Sequence, residues 1–366
     1  MCKTNAANIF SERVFMFDVR WARLALLVFS VALTPAFESS MNAQPSYLAP
    51  NEGLPNPYRA MPNWAKYSDG RLWGSTSGIA VGPNGSIWAL DRCGRDEHGC
   101  EGSRLDPIVE LDQSGKPKRH FGAGLINSPH GLYVDKDGNV WATDSQVSEN
   151  KRIGLQVIKF SPDGKILMTL GKAGVSGEGP DVFASPINVV VAANGDIFVA
   201  DGHDACQCPN RRIVKFAKDG KFIKAWGRQG SGPNEFGGLH GLAMDSQGRL
   251  FVADRTNSRI QIFTQDGKLL ATWEQFGRPS AIAIDQDDNL YVSDSQGPVL
   301  SNPKIKRGIR IGSIKDGKVR AFVPDPRSTV EGLAVDRQGT MYGAENGNLH
   351  SSTDQGTRGI KKYVKE

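Results

Sequence analysis

A six-fold internal repeat constrains the fold of this chain more than any other feature. Each copy is an apolar run, a tight turn, a second apolar run and a terminal acid, and the copies end at Asp91, Asp144, Asp201, Asp254, Asp294 and Glu345. Alternating apolar residues that flank N-G, D-G, Q-G or D-N turns predict β-hairpins. A third and a fourth apolar segment follow most copies. Four short antiparallel strands per repeat, at intervals of roughly 40 to 57 residues, predict an all-β, six-bladed β-propeller.

The two ends of the chain are expected to complete the sixth blade together. After the sixth hairpin the sequence holds only GIKKYV, at residues 359–364, as a third strand. The missing outer strand is expected from the front of the chain, where NWAKYSDG, at residues 63–70, resembles fourth-strand segments elsewhere. Pairing the chain ends closes the ring and protects an otherwise exposed sheet edge.

Composition agrees with a single large domain of this kind. The 42 glycines and 20 prolines supply many turns, and 39% hydrophobic residues suffice for a core. The blades occupy residues 58–366, and residues 44–57 form a short N-terminal extension. The net charge of +5 is modest, and no basic run with interleaved aromatic residues occurs, which argues against a nucleic-acid partner. We expect the protein to be a monomer.

Residues 1–43 differ in kind from the rest and resemble a secretory signal peptide. Arg20 and Arg23 precede the apolar run LALLVFSVAL at residues 24–33, and small or polar residues follow. Met16 is a second candidate start. The apolar run is too short for a comfortable membrane span, although a retained anchor is the alternative. The sequence therefore predicts a secreted or periplasmic protein with no membrane contact beyond the signal segment.

Four cysteines beyond the signal lie in two long loops. Cys93 and Cys100 follow the first hairpin, and Cys206 and Cys208 follow the third. An oxidising compartment favours disulfides that staple these loops over a thiol nucleophile or a metal site. Three connectivities are possible, and a CxC pair rarely closes on itself without strain.

One register of the repeat carries side chains typical of a metal site. The position just before each inner strand, with one residue of slack in the alignment, holds Gly78, His130, Asn188, His240, Ala281 and Glu331. Equivalent positions of a closed ring converge on one axis, so His130, His240 and Glu331, in alternate blades, should meet there. Three ligands leave a fourth position open, and two imidazoles and a carboxylate suit zinc best. The alternative is a set of polar residues that line a water-filled channel.

A second set of polar residues follows the terminal acids around the same axis. It comprises Arg92 in LDRCGR, His203 in ADGHDAC and Arg255 in ADRTNSRI. Guanidinium groups bind carboxylates in a bidentate fork, so arginines at a channel mouth suggest an anionic or carbonyl-rich ligand. Alternatively, each arginine pairs with the aspartate of a neighbouring blade.

The repeats resemble NHL repeats, and the whole string is similar to the catalytic propeller of peptidyl-α-hydroxyglycine α-amidating lyase. The segments that carry the likeness are SPHGLYVDKDGNVWATD, FVADGHDACQCPNRRIVKF, GRQGSGPNEF leading to LHGLAM, and VADRTNSRIQIF. The likeness runs from about residue 77 to the C-terminus. It implies a lyase that breaks the C–N bond of a C-terminal α-hydroxyglycine and releases a peptide amide and glyoxylate.

The resemblance also implies roles for individual residues. The family binds zinc with three histidines, of which His130 and His240 match two, while Glu331 replaces the third. Arg92 matches an arginine that contacts substrate, and Arg255 matches a second active-site arginine. The family's catalytic tyrosine falls on His203, which can act as the base instead. Gly332 occupies the place of an acidic residue that helps to hold calcium, so the sequence does not predict calcium.

Two other classes of function remain open. A non-catalytic NHL propeller would bind a protein or a small ligand on its top face. A metal-dependent lactonase or hydrolase of the gluconolactonase type is also six-bladed. That type usually has Glu, Asn and Asp at its centre, and the two histidines argue against it. Bound metal separates the two enzyme classes from the binding propeller, and product analysis separates the enzymes from each other.

Overall fold

The fold is a ring of six four-stranded antiparallel sheets, as the sequence predicts. The computed structural model describes residues 53–67, 69–94, 99–204, 206, 208–296, 305–327, 329–347 and 358–366. The signal peptide prediction lies outside these residues. Within the described part of the chain, no helix is long and apolar enough to cross a membrane.

In blades 1 to 5 the strands follow the chain order from the centre of the ring outward. Blades 1 and 2 comprise β2 (Thr76–Val81), β3 (Ile87–Asp91), β4 (Ile108–Leu111), β5 (Pro117–Phe121), β6 (Pro129–Val134), β7 (Val140–Asp144), β8 (Gln156–Phe160) and β9 (Ile166–Leu170). Blade 3 comprises β10 (Pro186–Val191), β11 (Ile197–Asp201), β12 (Arg212–Phe216) and β13 (Phe222–Trp226). A short parallel pair, β14 (Arg228–Gln229) and β15 (Glu235–Phe236), leads to blade 4.

The remaining blades repeat this order. Blades 4 and 5 comprise β16 (Leu239–Met244), β17 (Leu250–Asp254), β18 (Arg259–Phe263), β19 (Leu269–Trp273), β20 (Ala281–Ile284), β21 (Asn289–Asp294), β22 (Gly308–Ser313) and β23 (Val319–Pro324). Blade 6 comprises β24 (Val330–Val335), β25 (Met341–Asn346), β26 (Arg358–Lys365) and, as its outer strand, β1 (Tyr58–Met61).

The ring closes through its chain ends, but with a different N-terminal segment from the one predicted. Strand β1 pairs with β26, with Tyr58 opposite Lys365. Residues 63–70 form no strand among those described, because Pro62 lacks an N–H and Asn63 has a left-handed backbone with φ of 55°. Trp64 packs instead on the ring of Tyr342, with their centroids 5.2 Å apart.

Apolar side chains fill the spaces between neighbouring blades. Phe198 of β11 and Phe263 of β18 belong to one such cluster between blades 3 and 4. Tyr363 of β26 lies fully buried in the cluster between blades 5 and 6, and its hydroxyl donates to Asp325 at 3.0 Å. Apolar residues on both faces of the second strands, such as β3, β11 and β17, therefore build the contacts that hold the ring together.

The four loop cysteines form two disulfides, Cys93–Cys100 and Cys206–Cys208. Of the three connectivities left open by the sequence, the structure therefore has the one in which each loop is closed within itself. Both loops follow the second strand of a blade, at the end of the ring where the acidic residues of the hairpins lie.

Replacement of Tyr363 by Ala should destabilise the ring closure. The substitution removes a buried aromatic side chain and leaves a cavity, which typically costs about 3–5 kcal/mol, and it also leaves Asp325 without one donor. Phe222→Ala is the control, because that ring is 43% exposed. Calorimetry should show a much larger drop in Tm for Tyr363→Ala, and equal drops would contradict a closing role for β26.

Both disulfides should form in exported protein. The intact mass without reduction should be four hydrogens lighter than the reduced mass, since each of two bridges removes two hydrogens. Proteolytic peptides should keep Cys93 with Cys100 and Cys206 with Cys208. Bridges between the two loops, or free thiols in material from the periplasm or medium, would contradict this pairing.

Candidate metal centre

A β-bulge near the start of the inner strand sets which side chains face the centre of the ring. In blades 2, 4 and 6 the acid that ends the hairpin pairs with one residue of the inner strand. The next residue along that inner strand is His130, His240 or Glu331, respectively. The equivalent residues in blades 1 and 3 are Ser77 and Ile187, and in blade 5 Ser280 directly precedes the first paired residue, Ala281. The aligned Gly78, Asn188 and Ala281 lie one residue further along, because the sequence pattern does not reveal the extra residue of a bulge.

The two histidines of this register are held in the same way by the next blade. The Nδ1 atom of His130 lies 2.9 Å from the Ile187 carbonyl oxygen, and that of His240 lies 2.6 Å from the Ser280 carbonyl oxygen. A carbonyl only accepts, so each imidazole carries a proton on Nδ1, and a neutral His130 has its lone pair on Nε2. Both side chains are buried, and their ring centroids are 4.9 Å apart.

Nε2 of His130 has no hydrogen-bond partner among the described residues, whereas Nε2 of His240 lies 2.7 Å from Oε2 of Glu331. A buried nitrogen without a partner is costly, and a lone pair so oriented is what a metal ion binds. Burial, together with the neighbouring His240, His203 and Arg92, holds the pKa of His130 well below its usual value. His130 is therefore neutral at pH 7, the protonation state that a metal ligand requires.

Glu331 reaches the same point from blade 6. Its Oε2 atom lies 2.7 Å from Nε2 of His240, without hydrogen-bond geometry, and its Oε1 atom accepts from Arg255 at 3.3 Å. Burial alone would raise the pKa of Glu331, but His240 and Arg255 hold it well below its usual value. The structure thus brings a buried carboxylate against one of the two imidazoles.

His203 enters this cluster from the loop after β11. Its ring centroid lies 5.0 Å from that of His130 and 5.4 Å from that of His240. One ring nitrogen from each of these three histidines lies within 4.8 Å of the others, so they form a second possible donor set. However, Nδ1 of His203 lies 3.2 Å from Asp204 and its Nε2 lies 3.2 Å from the Arg255 guanidinium. Its two nitrogens face protein groups, unlike Nε2 of His130.

Burial and the adjacent Arg255 lower the pKa of His203 to about 3. His203 is thus a neutral imidazole at pH 7 in this environment. A neutral imidazole has one nitrogen that can accept a proton, but a pKa of about 3 makes His203 a weak base as long as Arg255 stays beside it.

A buried ionic network that sequence reasoning missed supports these residues. The carboxylate of Asp204 accepts from Arg255 Nε at 3.0 Å and from Arg278 Nη2 at 2.9 Å. Arg278 also donates to the backbone carbonyl of Arg255 at 2.9 Å. Arg255 therefore does pair with the aspartate of a neighbouring blade, while its Nη1 reaches Glu331. The only sequence signal for Asp204 was its position next to His203.

Arg92 lies near the histidines at the end of blade 1. Its Nε donates to the carbonyl oxygen of Pro129 at 3.2 Å, beside His130 in the chain. The side chain is partly exposed, and its positive charge contributes to the lowered pKa of His130. The arrangement as a whole is a set of buried donor atoms flanked by three arginines, Arg92, Arg255 and Arg278.

Comparison with known sequences finds the same type of repeat and a set of lyases. Residues 127–154 and 236–263 match the NHL repeat family. A probable peptidyl-alpha-hydroxyglycine alpha-amidating lyase of Caenorhabditis elegans is 30% identical over 292 residues, which cover 74% of this chain and 79% of that protein. The NHL repeat-containing protein 3 of Homo sapiens is 28% identical, with 84% of each chain covered.

Longer proteins also contain a related segment. Peptidyl-glycine alpha-amidating monooxygenase B of Xenopus laevis is 34% identical over 295 residues, which cover 74% of this chain but 32% of that protein. This chain thus corresponds to about a third of the frog protein.

Solved structures show the same fold at low sequence identity. A gluconolactonase of Xanthomonas campestris has a TM-score of 0.57 at 15% identity, with 84% of this chain and 90% of that chain covered. A virginiamycin B lyase of Staphylococcus aureus has a TM-score of 0.52 at 16% identity, with 84% and 99% covered. At such identities the likeness supports the propeller fold alone.

The cluster should bind one divalent metal ion per chain, and His130→Ala should abolish the binding. Loss of one ligand from three leaves too few protein donors for a stable site. His120→Ala is the control, because His120 lies on the outer strand β5 with a side chain that is 60% exposed. Elemental analysis of purified variants measures the metal content. Wild-type protein that stays metal-free after expression with zinc and subsequent loading would rule out this site.

Proposed function

Because this chain belongs to the peptidyl-α-hydroxyglycine α-amidating lyase family of NHL-repeat propellers, we propose that it is a metal-dependent carbon–nitrogen lyase. The substrate is a peptidyl-α-hydroxyglycine or a related carbinolamide, and the products are an amide and glyoxylate. The observation that carries this proposal is the pair of buried imidazoles, His130 and His240, which lie beside a third histidine, His203, with Glu331 against His240.

The residues present fit a zinc site. His130, His240 and Glu331 would hold the ion, since two imidazoles and a carboxylate form a known catalytic zinc shell. Their orientation is supported by the blade-to-blade hydrogen bonds at each Nδ1. Bound zinc would supply Lewis acidity toward the substrate oxygen, softened by the charge of Glu331.

His203 is the proposed general base. In the reaction, the substrate hydroxyl replaces Arg255 Nη2 as the hydrogen-bond partner of His203 Nε2, and this nitrogen takes the hydroxyl proton, while Arg255 keeps its bonds to Asp204 and Glu331. The oxygen then forms the carbonyl of glyoxylate, the C–N bond breaks, and its electron pair goes to the amide nitrogen. Return of the proton from His203 to that nitrogen completes the amide, so no other reactant is needed.

The arginines are proposed to bind and orient the substrate. Arg92 is partly exposed at the mouth and would hold the terminal carboxylate. Arg255 is fixed in place by ion pairs with Asp204 and Glu331. Its proposed role is therefore to provide a stationary positive charge near the reacting atoms. The partner is thus a peptide C-terminus or a similar small molecule. We propose a monomeric enzyme that acts in the periplasm or outside the cell, in keeping with its disulfides.

A non-catalytic binding propeller is the second candidate. It is favoured by the similarity to NHL repeat-containing protein 3, because that match covers 84% of this chain, whereas the match to the nematode lyase covers 74%. The replacement of a third histidine by Glu331 points the same way. A lactonase is the remaining alternative, and product analysis distinguishes it because a lactonase adds water and releases no glyoxylate.

Zinc-loaded protein should release glyoxylate from a peptide that ends in α-hydroxyglycine. His203→Ala should lower kcat by on the order of a hundredfold or more while zinc stays bound, because loss of a general base slows proton transfer. His120→Ala should retain full activity. A zinc-loaded wild type without turnover above that of free zinc would remove the lyase proposal and favour the binding propeller.

Arg92→Ala should act selectively on substrates with a free carboxylate. The guanidinium binds that charge, and an ester of the same peptide lacks it. The ratio of kcat/KM for acid and ester substrates should therefore fall toward one in the variant. An equal loss on both substrates would show that Arg92 does not bind the carboxylate.

A further inference from the structure

We propose that Asp204 is a positioning residue that sets the tautomer of His203 and so presents the basic nitrogen to the substrate. This inference rests on the proposed role of His203 as the base. No part of the reaction scheme uses Asp204, yet its carboxylate contacts three of the side chains at the centre of the ring.

The tautomer follows from which groups can donate. Arginine carries only donors, so the hydrogen bond of 3.2 Å between Arg255 Nη2 and His203 Nε2 requires a lone pair on that nitrogen. A neutral imidazole has one lone pair of this kind, and its proton therefore lies on Nδ1. Nδ1 is 3.2 Å from Oδ1 of Asp204, an ion-pair distance at which the negative charge favours a proton on that nitrogen, and the same Oδ1 atom accepts a hydrogen bond from Arg255 Nη2.

Asp204 is itself held rigidly from the opposite side. Its Oδ2 atom accepts from Arg255 Nε at 3.0 Å and from Arg278 Nη2 at 2.9 Å. Arg278 is fixed in turn by Gln296 at 2.9 Å and by the backbone of Arg255. The carboxylate cannot turn away from His203 without breaking these charge-assisted bonds, which are stronger than neutral ones.

This geometry predicts an effect on turnover rather than on binding. With Asp204 present, Nε2 of His203 has its lone pair toward the cluster before substrate arrives. Without the carboxylate, Arg255 also loses the partner that holds it against Nε2, so the second tautomer, with its proton on Nε2, becomes accessible and cannot accept a proton at that atom. Substrate binding would persist, because the carboxylate of the substrate is assigned to Arg92. An orienting aspartate beside a catalytic histidine acts by this principle in other enzymes.

The test is nitrogen NMR of protein labelled with ¹⁵N-histidine, as isolated and after zinc loading. Long-range proton–nitrogen spectra distinguish the two tautomers, and a His203→Gln spectrum identifies the signals of His203. We expect the Nδ1–H tautomer in the wild type and a mixture in Asp204→Asn. The kcat for glyoxylate release should fall about ten- to a hundredfold in Asp204→Asn, with zinc content unchanged and a smaller change in KM.

Asp106→Asn is the matched control. Asp106 faces Nδ1 of His120 at 2.6 Å in a more exposed Asp–His pair on blade 1, away from the cluster. This variant should leave the His203 signals and kcat unchanged. If Asp204→Asn does not fold because two arginines lose their partner, the charge-balanced variant Asp204→Asn with Arg278→Gln replaces it, and the same loss of the Nδ1–H tautomer is expected.

The outcomes separate this inference from the proposed function. An unchanged tautomer and a kcat within twofold of wild type in the Asp204 variants would overturn the positioning role. A wild type that lacks turnover, together with a tautomer that changes in Asp204→Asn, would overturn the lyase proposal but keep the structural role of Asp204. A wild type with the Nε2–H tautomer would overturn the inference directly.

Discussion

The structure depends on a buried carboxylate at the end of each hairpin, which holds the backbone that enters the inner strand. Asp144 accepts from the amides of Asn127 and Ser128, both at 2.7 Å. Asp201 accepts in the same way from two amides of blade 3, both at 2.8 Å. Each carboxylate thereby fixes the chain a few residues ahead of the position that faces the axis. Without these bonds the amides would be buried and unsatisfied.

Burial of these carboxylates positions the backbone but disfavours their charged form. It raises the pKa of Asp144 to about 7 and that of Asp91 to about 6, although both carboxylates accept backbone hydrogen bonds. The repeat nevertheless ends in an acid six times. The same short sequence unit thus specifies the hairpin and the placement of the next functional side chain, which explains how His130 and His240 adopt equivalent hydrogen bonds in different blades.

The centre of the ring is organised by charge balance. The partly buried carboxylate of Asp204 and the buried carboxylate of Glu331 face two buried guanidinium groups, Arg255 and Arg278. Removing one member of such a network leaves a buried charge without compensation, which is strongly destabilising. Glu331, which stands where related lyases are expected to have a histidine, is thereby joined to Arg255. His130 stays a neutral imidazole, and the arginines lie near it without direct competition for its Nε2.

The sequence by itself determined the all-β class, the six blades and the meeting of His130, His240 and Glu331, because periodic apolar residues and a repeated register carry that information locally. It also indicated closure by the chain ends. The tertiary structure decided which segment closes the ring, since a four-residue strand at Tyr58–Met61 has little local signal and is defined by its pairing with β26. It decided the true register, which a bulge shifts by one residue. It alone joined Asp204 to Arg255 and Arg278, 51 and 74 residues away, because contacts between side chains of different blades leave no pattern in the sequence.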